Sequence, residues 1–234
     1  MRFQNAILCI LGQRQSHEGG SLHQRNIDGR IGHEMLSSFI YRRVWIYRLA
    51  MTVLYRGSYR ARFDRMAALL TASERSVLEL CFGDTVFAEL CRRQGRTWTG
   101  LDVNERFVAR AAANGYDAHL LDLRHAADLP TCDVCVMIGS LYHFHAQLPE
   151  LFERIKAVSG RFLISEPVQN WTHGNALLRG LARRGTRVGP DAETFRFNEA
   201  SLRASLEALR GRVGFRYRVI HVARDMIVEV LWSS

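Results

Sequence analysis

Three acidic residues recur at regular intervals between residues 79 and 122. Glu79, Asp102 and Asp122 are separated by 23 and 20 residues, and each interval is the length of one strand–helix unit. A carboxylate at a strand end can accept hydrogen bonds from the hydroxyls of a ribose or from the amino group of an adenine. Gly83 follows the first acid, where a glycine lets the backbone approach a ligand and a helix start offers N–H donors. This spacing favours a site for an adenosine-like ligand.

The surrounding hydrophobic pattern predicts the elements that position these acids. Apolar runs predict strands at residues 76–80, 97–101, 118–121, 132–138 and 161–165, and helical patterns span residues 86–94, 104–114 and 148–158. Such alternation is typical of a parallel sheet with helices on both faces. In these sheets ligands bind beyond the carboxyl ends of the strands, and the three acids lie at or near such ends.

The C-terminal part breaks the alternation. After a predicted helix at residues 199–209, two β-rich runs at residues 214–221 and 226–232 are joined by only four residues, Val222–Asp225. A connection this short can join antiparallel strands but not a parallel crossover. The predicted fold is therefore α/β, a Rossmann-like doubly wound sheet of seven strands in which five parallel strands are followed by a C-terminal antiparallel hairpin.

The N-terminal part differs in composition from this domain. Residues 1–33 are polar and aperiodic and are predicted to be a flexible tail, whereas residues 34–70 have a helical pattern that is apolar on two sides. Such helices are usually covered by a core on one side and by a lid, a second subunit or a lipid surface on the other. We therefore expect a helical extension or cap at 34–70 and the main domain at 71–234. Peripheral membrane contact through residues 34–65 and a homodimer contact are open alternatives.

The five cysteines are scattered through the chain, which argues against a disulfide framework and favours a reducing, cytoplasmic compartment. Cys132 and Cys135 lie three residues apart in a predicted strand, so their side chains are expected to point to opposite faces and not to share a metal ion. No metal site is predicted elsewhere. No apolar run approaches the ~20 residues that a transmembrane helix requires.

Residues 73–166 resemble the class I S-adenosylmethionine (SAM)-dependent methyltransferases. Residues 77–84 (VLELCFGD) are similar to the family's first motif, in which an acidic residue precedes a glycine-rich turn, and Cys81 and Thr85 stand where the family usually has the first and last glycines. The resemblance implies SAM as cofactor and S-adenosylhomocysteine as product, with Glu79 and Gly83 beside the methionine moiety. The cofactor-binding residues that it implies are Glu79, Cys81, Gly83, Asp102 (ribose), Val103, Asp122 and Leu123 (adenine), Gly139 and Ser140.

Residues 138–144 (IGSLYHF) fall where the family's fourth motif lines the methyl-transfer site. Histidine titrates near neutral pH, so His143 is the candidate base or substrate-orienting group; the alternative is that it only forms a wall of the pocket. Glu166 follows the fifth predicted strand and is the second catalytic candidate, or else a cap for the turn before Pro167. Candidate acceptor-binding residues are Tyr142, His145, Asn170 and Trp171.

The predicted function is methyl transfer from SAM to a small molecule, such as a sugar, a lipid-linked intermediate or another biosynthetic acceptor. O-methylation is favoured because hydroxyls are poor nucleophiles that benefit from a nearby histidine. An RNA methyltransferase is an alternative supported only by the formal net charge of +9. A non-catalytic methyltransferase-like scaffold is an alternative supported by Cys81 and Thr85. A dinucleotide oxidoreductase is disfavoured. Such an enzyme requires a Gly-x-Gly-x-x-Gly turn after the first strand, and Gly83 is the only one of these glycines present.

Overall fold

The computed structural model describes residues 59–126, 128–169 and 195–233. Within these ranges the helices are α1 (Tyr59–Ala68), α2 (Val86–Arg93), α3 (Glu105–Ala113), α4 (Leu148–Val158) and α5 (Glu199–Val213), with a short 3₁₀ helix at Leu141–Phe144. The strands are β1 (Ser76–Leu80), β2 (Thr97–Asp102), β3 (Asp117–Leu120), β4 (Val134–Ile138), β5 (Arg161–Pro167), β6 (Phe215–Val222) and β7 (Asp225–Trp232). The predicted tail, and the predicted extension before residue 59, lie outside the described residues. None of the described helices is long and apolar enough to cross a membrane.

The seven described strands form one sheet in the order β3-β2-β1-β4-β5-β7-β6. Strands β1 to β5 are parallel to one another, and β7 runs antiparallel to both of its neighbours, β5 and β6. The predicted doubly wound sheet with a C-terminal antiparallel hairpin is thereby confirmed. Strand β1 pairs with β2 on one side and with β4 on the other, so the strand order reverses there. In sheets of this kind that reversal marks the ligand-binding edge.

Most element boundaries differ from the predicted ones by one or two residues, and the end of α5 differs by four. Strand β4 begins at Val134, so Cys132 lies before the strand, where it forms an isolated bridge with Ser159. Helix α5 continues to Val213 and ends at Gly214, whose left-handed φ of 76° closes the helix. Neither change alters the order of the elements.

Side chains along the central strand β1 alternate between two packed layers. Val77 and Glu79 point to the face that α1, α2 and α3 cover, whereas Leu78 and Leu80 point to the face that α4 and α5 cover. Fully or almost fully buried side chains fill the two layers, among them Phe63, Met66, Phe87 and Phe107 in the first and Leu151, Phe152, Ile155 and Leu202 in the second. The alternation therefore places the acid Glu79 in an apolar layer.

Helix α1 is joined to the domain by polar contacts as well as by its apolar face. Arg161 Nη1 of β5 donates to the backbone oxygen of Leu69 at 3.1 Å and pairs with Glu74 Oε1 at 2.8 Å. At the other end of α1, the hydroxyl of Tyr59 donates to Asp84 Oδ2 at 3.0 Å. These contacts place α1 beside the turn that follows β1.

Candidate functional site

Glu79 lies near the carboxyl end of β1 and is 1% exposed. Trp98 Nε1 of β2 donates to Glu79 Oε2 at 2.8 Å, while Oε1 has no hydrogen-bond partner among the residues that the structure describes. Burial raises the pKa of Glu79 well above its usual value, and Asp84 and Asp102 raise it further; the Trp98 hydrogen bond and the charge of Arg62 oppose the shift. The site thus contains a buried oxygen to which no group in the described part of the chain donates.

The turn after β1 uses left-handed backbone conformations at Cys81 (φ 55°) and Gly83 (φ 61°). Glycine adopts this conformation freely, but a side chain there costs about 1–2 kcal/mol. Cys81 is the only non-glycine residue with a positive φ in the described part of the chain. Its N–H donates to the backbone oxygen of Leu101 at 2.7 Å, which continues the pairing of β1 with β2. The two predicted cofactor-binding residues therefore form one tight turn, with strain at Cys81.

The thiol of Cys81 lies among the acids of this turn. Burial raises the pKa of the thiol well above its usual value, and Asp102, Asp122 and Glu79 raise it further. A protonated thiol is a weak nucleophile. Cys81 is therefore an uncharged neighbour of the three predicted acids and not a reactive group.

Asp102 ends β2 and faces the turn after β1. Gly83 N donates to Asp102 Oδ2 at 3.0 Å, and Asn104 N donates to Oδ1 at 2.8 Å. Burial raises the pKa of Asp102, and the backbone N–H groups around it oppose this shift. Each carboxylate oxygen can accept one more hydrogen bond. The adjacent Val103 side chain is 49% exposed, which provides an apolar surface that a flat ring could cover.

Asp122 follows β3 and makes a contact that the sequence did not indicate. Arg124 Nε donates to Asp122 Oδ1 at 3.0 Å, and Arg124 Nη2 donates to Oδ2 at 2.7 Å. These hydrogen bonds lower the pKa of Asp122, against the opposing effect of burial. A ligand amino group at Asp122 would therefore share this carboxylate with Arg124 or displace it. The neighbouring Leu123 side chain packs in the core under α4 and α5, and Arg154 Nη1 donates to its backbone oxygen at 2.6 Å.

Gly139 follows β4 with a φ of 77° and lies against the guanidinium of Arg62 from α1. A Cβ at residue 139 would lie 2.6 Å from Arg62 Nη2 and 3.2 Å from Nη1, so a glycine is needed for this approach. Arg62 is 4% exposed, and its Nε lies 3.2 Å from Asp225 Oδ2 at the start of β7. Sequence reasoning missed this cation, because no motif surrounds it. Ser140, the second predicted residue here, is half-buried.

Glu166 lies inside β5, because the antiparallel pairing of β5 with β7 extends to Pro167 opposite Asp225. The prediction that it follows the strand is wrong. Its carboxyl group is fully buried, and Leu141 N donates to Oε2 at 2.9 Å. Burial raises the pKa of Glu166 to about 8, although the Leu141 hydrogen bond and the charge of Arg62 oppose the shift. With a pKa of about 8 the carboxyl group is mostly protonated at neutral pH and is therefore a poor base, while its Oε2 still accepts from Leu141 N.

The 3₁₀ helix after β4 brings together the predicted acceptor-side residues. The ring of Tyr142 is buried, with its centroid 3.9 Å from that of His143. The guanidinium of Arg196 lies over the Tyr142 ring at 3.8 Å, and the rings of His145 and Phe195 stack at 4.1 Å. The segment before α5 therefore forms an aromatic and cationic wall beside the 3₁₀ helix.

The other two predicted acceptor-binding residues, Asn170 and Trp171, lie outside the described residues. Phe195 and Arg196 were missed, and the only sequence cue for them is the aromatic–arginine–aromatic run that precedes the cap of α5 at Asn198. Within the described residues, no group of three or more His, Cys, Asp or Glu side chains is arranged to hold a metal ion.

Carboxylates and glycine turns thus gather at the carboxyl ends of β1, β2 and β4, beside the reversal of strand order. The family model described as a methyltransferase domain matches residues 53–217, well over half of the chain. The chain belongs to this methyltransferase family. Glu79, the Cys81–Gly83 turn and Asp102 of this methyltransferase all lie within the matched region.

Solved structures of other methyltransferases share the fold. Magnesium protoporphyrin IX methyltransferase from Synechocystis PCC 6803, with bound S-adenosylhomocysteine, is 17% identical over 76% of this chain and 84% of that chain, with a TM-score of 0.54. Human N-acetylserotonin methyltransferase, in complex with SAM, is 18% identical over 83% and 58% of the two chains, with a TM-score of 0.58. An O-methyltransferase family protein from Burkholderia thailandensis is 15% identical over 82% and 60%, with a TM-score of 0.58. A search of curated protein sequences found no significant match.

Substitutions at Cys81 separate backbone strain from loss of the side chain. We expect Cys81→Gly to be more stable than Cys81→Ala by about 1 kcal/mol, because alanine keeps the Cβ that disfavours a left-handed backbone. Urea denaturation gives the two free energies of unfolding. Cys91, buried in α2, is the matched control. There the alanine variant should be more stable than the glycine variant by about 1 kcal/mol, because alanine is the better helix former. If the alanine and glycine variants at residue 81 had equal free energies of unfolding, the backbone at Cys81 would not be strained.

The raised pKa of Glu166 predicts a pH-dependent stability. Between its usual value of 4.5 and about 8, the group is protonated in the folded protein and ionised in the unfolded chain. Its contribution is therefore complete below about pH 4.5 and is lost as the pH rises to about 8. Glu166→Gln, which does not ionise, should gain stability relative to wild type over this range by up to about 1.4 kcal/mol per pH unit, and no more above it.

Urea denaturation of wild type and Glu166→Gln across this pH range measures the difference. Glu150→Gln is the control, because the Glu150 side chain is 60% exposed, and it should leave the pH profile of stability unchanged. A difference between wild type and Glu166→Gln that does not vary with pH would show that Glu166 ionises alike in both states.

Proposed function

We propose that this methyltransferase transfers the methyl group of SAM to a hydroxyl group of a small molecule. The observation that carries the choice of cofactor is the geometry of Asp102. Gly83 N and Asn104 N hold its two oxygens at 3.0 and 2.8 Å at the end of β2, where adjacent ribose hydroxyls can each donate to one oxygen. The presence of SAM or S-adenosylhomocysteine in two similar methyltransferases supports the same choice.

Residues around Asp102 suit the other parts of SAM. Glu79 Oε1 is a buried acceptor without a donor among the described residues. The ammonium group of SAM needs such an acceptor. The exposed Val103 side chain offers a surface for the adenine ring, and Asp122 can accept from the adenine amino group. Gly83, which is left-handed and has no side chain, lets a ligand approach the backbone of the turn after β1. Bound SAM supplies a methyl group on a sulfonium sulfur.

The protein's own part in the reaction is to align the acceptor and to remove its proton. His143 lies on the 3₁₀ helix at the carboxyl end of β4, half-buried against Tyr142. An imidazole there can accept the proton of an acceptor hydroxyl. Glu166 is a positioning residue in this mechanism, because its contact with Leu141 N holds the 3₁₀ helix that carries His143.

Features of the acceptor side favour a small molecule. The stacked rings of His145 and Phe195 provide an aromatic surface for a flat or apolar acceptor. The similarity to an O-methyltransferase family protein supports O-methylation. The basic charge gives RNA little support, because arginines such as Arg124 and Arg161 pair with carboxylates of this chain.

Replacing Asp102 tests the cofactor assignment. Asp102→Asn should weaken SAM binding by about 1–3 kcal/mol, because one ribose hydroxyl then meets an amide nitrogen that cannot accept a hydrogen bond. Isothermal titration calorimetry with SAM measures the change, and circular dichroism checks the fold. Asp117→Asn is the control, since this exposed carboxylate lies at the start of β3. A folded Asp102→Asn variant with wild-type affinity, or a wild type that does not bind SAM, would refute the assignment.

Replacing His143 tests the proposed base. His143→Ala should lower methyl transfer by about 100-fold or more and leave SAM affinity unchanged. Transfer of radiolabelled methyl from SAM to a panel of hydroxylated aromatic and sugar acceptors measures the first quantity, and calorimetry measures the second. His119→Ala, an exposed histidine of β3, should keep full activity. A fully active His143→Ala variant would show that His143 only forms a wall of the site.

A further inference from the structure

Arg154 of α4 reaches the turn that follows β3. Its Nη1 donates to the backbone oxygens of Leu123 and Ala126, each at 2.6 Å. Its Nε donates to the backbone oxygen of Glu150, one turn earlier in α4, at 3.2 Å, which fixes the side chain along its own helix. Hydrogen bonds from a charged donor are about twice as strong as those between neutral groups. One half-buried arginine therefore ties two carbonyl groups of a single turn to α4.

Asp122 lies at the start of this turn. Its backbone oxygen accepts from Ala126 N at 3.0 Å, so Asp122 and the carbonyl groups that Arg154 holds belong to one closed turn. On the other side of Asp122, Leu121 N donates to the backbone oxygen of Asp102 at 3.0 Å. Asp122 is thus held between two anchors, one on β2 and one on α4.

The contact between Arg154 and the turn is more than packing requires. The Leu123 side chain is 2% exposed in the core under α4, so apolar contact already joins the turn to the helix. The hydrogen bonds of Arg154 add direction, because they fix the orientation of the backbone that follows Asp122. The contact with β2 fixes the backbone before it, next to the residue proposed to bind the ribose.

The carboxylate of Asp122 can use this fixed position. Its Oδ2 accepts one hydrogen bond among the described residues, from Arg124 Nη2 at 2.7 Å, and a carboxylate oxygen can accept a second. We propose that Arg154 is a positioning residue for the cofactor. By holding the turn from Asp122 to Ala126, it directs the Asp122 carboxylate at the amino group of the adenine. This inference rests on the proposed function.

Two ligands that differ only at the 6-position of the purine test the inference. S-adenosylhomocysteine carries an amino group there, and the matched analogue carries hydrogen. Isothermal titration calorimetry should show that wild type binds S-adenosylhomocysteine about 10- to 100-fold more tightly, the range expected of a hydrogen bond to a charged group. Arg154→Met should lose most of this preference, because its affinity for S-adenosylhomocysteine falls while its affinity for the analogue changes little.

Three further variants separate positioning from folding, and circular dichroism checks the fold of each. Arg212→Met changes an arginine of α5 that is 67% exposed beside Glu150 of α4, and it should keep the wild-type preference. Asp122→Ala removes the acceptor and should abolish the preference. Adding Arg154→Met to Asp122→Ala should change the preference no further, because both substitutions act through the same carboxylate.

The conservative variant Arg154→Lys should give an intermediate preference. Lysine keeps a cation for the carbonyl groups of the turn but has no counterpart of the Nε bond that fixes the arginine side chain. If Arg154→Met does not fold, Arg154→Lys decides the question, and a preference equal to that of wild type overturns the inference.

The outcomes distinguish this inference from the proposed function. If a folded Arg154→Met variant weakens both ligands by the same factor, or weakens neither, Arg154 does not position Asp122 and the inference is overturned. If wild type binds both ligands with equal affinity, Asp122 does not recognise the amino group, and the inference fails while cofactor binding stands. If wild type binds neither ligand, the proposed function fails together with the inference.

Discussion

Two backbone N–H groups, from Gly83 and Asn104, hold the carboxylate of Asp102 at the end of β2. The first bond joins the turn after β1 to the neighbouring strand, and the second joins the carboxylate to the cap of α3. The other candidate groups take their places from this arrangement, because Glu79 precedes the same turn and Cys81 lies within it. The left-handed strain at Cys81 is the local cost of keeping the Gly83 N–H directed at Asp102.

Acids gathered at one edge of a sheet repel one another, and this methyltransferase limits that repulsion in two ways. Burial raises the pKa values of Glu79 and Glu166, which favours the uncharged form of each acid. Asp122 and Asp225 instead pair with arginines from outside the strands, Arg124 and Arg62. The same edge can then present acceptor oxygens without a large excess of negative charge.

Local patterns were sufficient to predict the sheet and the acids along its edge. β1 and α4 have the bounds predicted from their apolar periodicity, and the short connection before β7 required the antiparallel hairpin. Contacts between distant residues were not predictable, since Arg62 meets Asp225 only after the sheet has formed. The length of β5 has the same origin, because pairing with β7 extends it through Glu166. Arg124 lies two residues from Asp122, but its contact depends on a side-chain conformation that no sequence pattern specifies.

A crystal structure of the protein with S-adenosylhomocysteine bound tests most directly whether this edge holds an adenosyl group. The two ribose hydroxyls are expected within hydrogen-bond distance of the Asp102 oxygens, about 2.5–3.0 Å, with Gly83 N and Asn104 N still donating to them. An adenosyl group bound away from the ends of β1 and β2, or a ribose that does not contact Asp102, would contradict the proposed site.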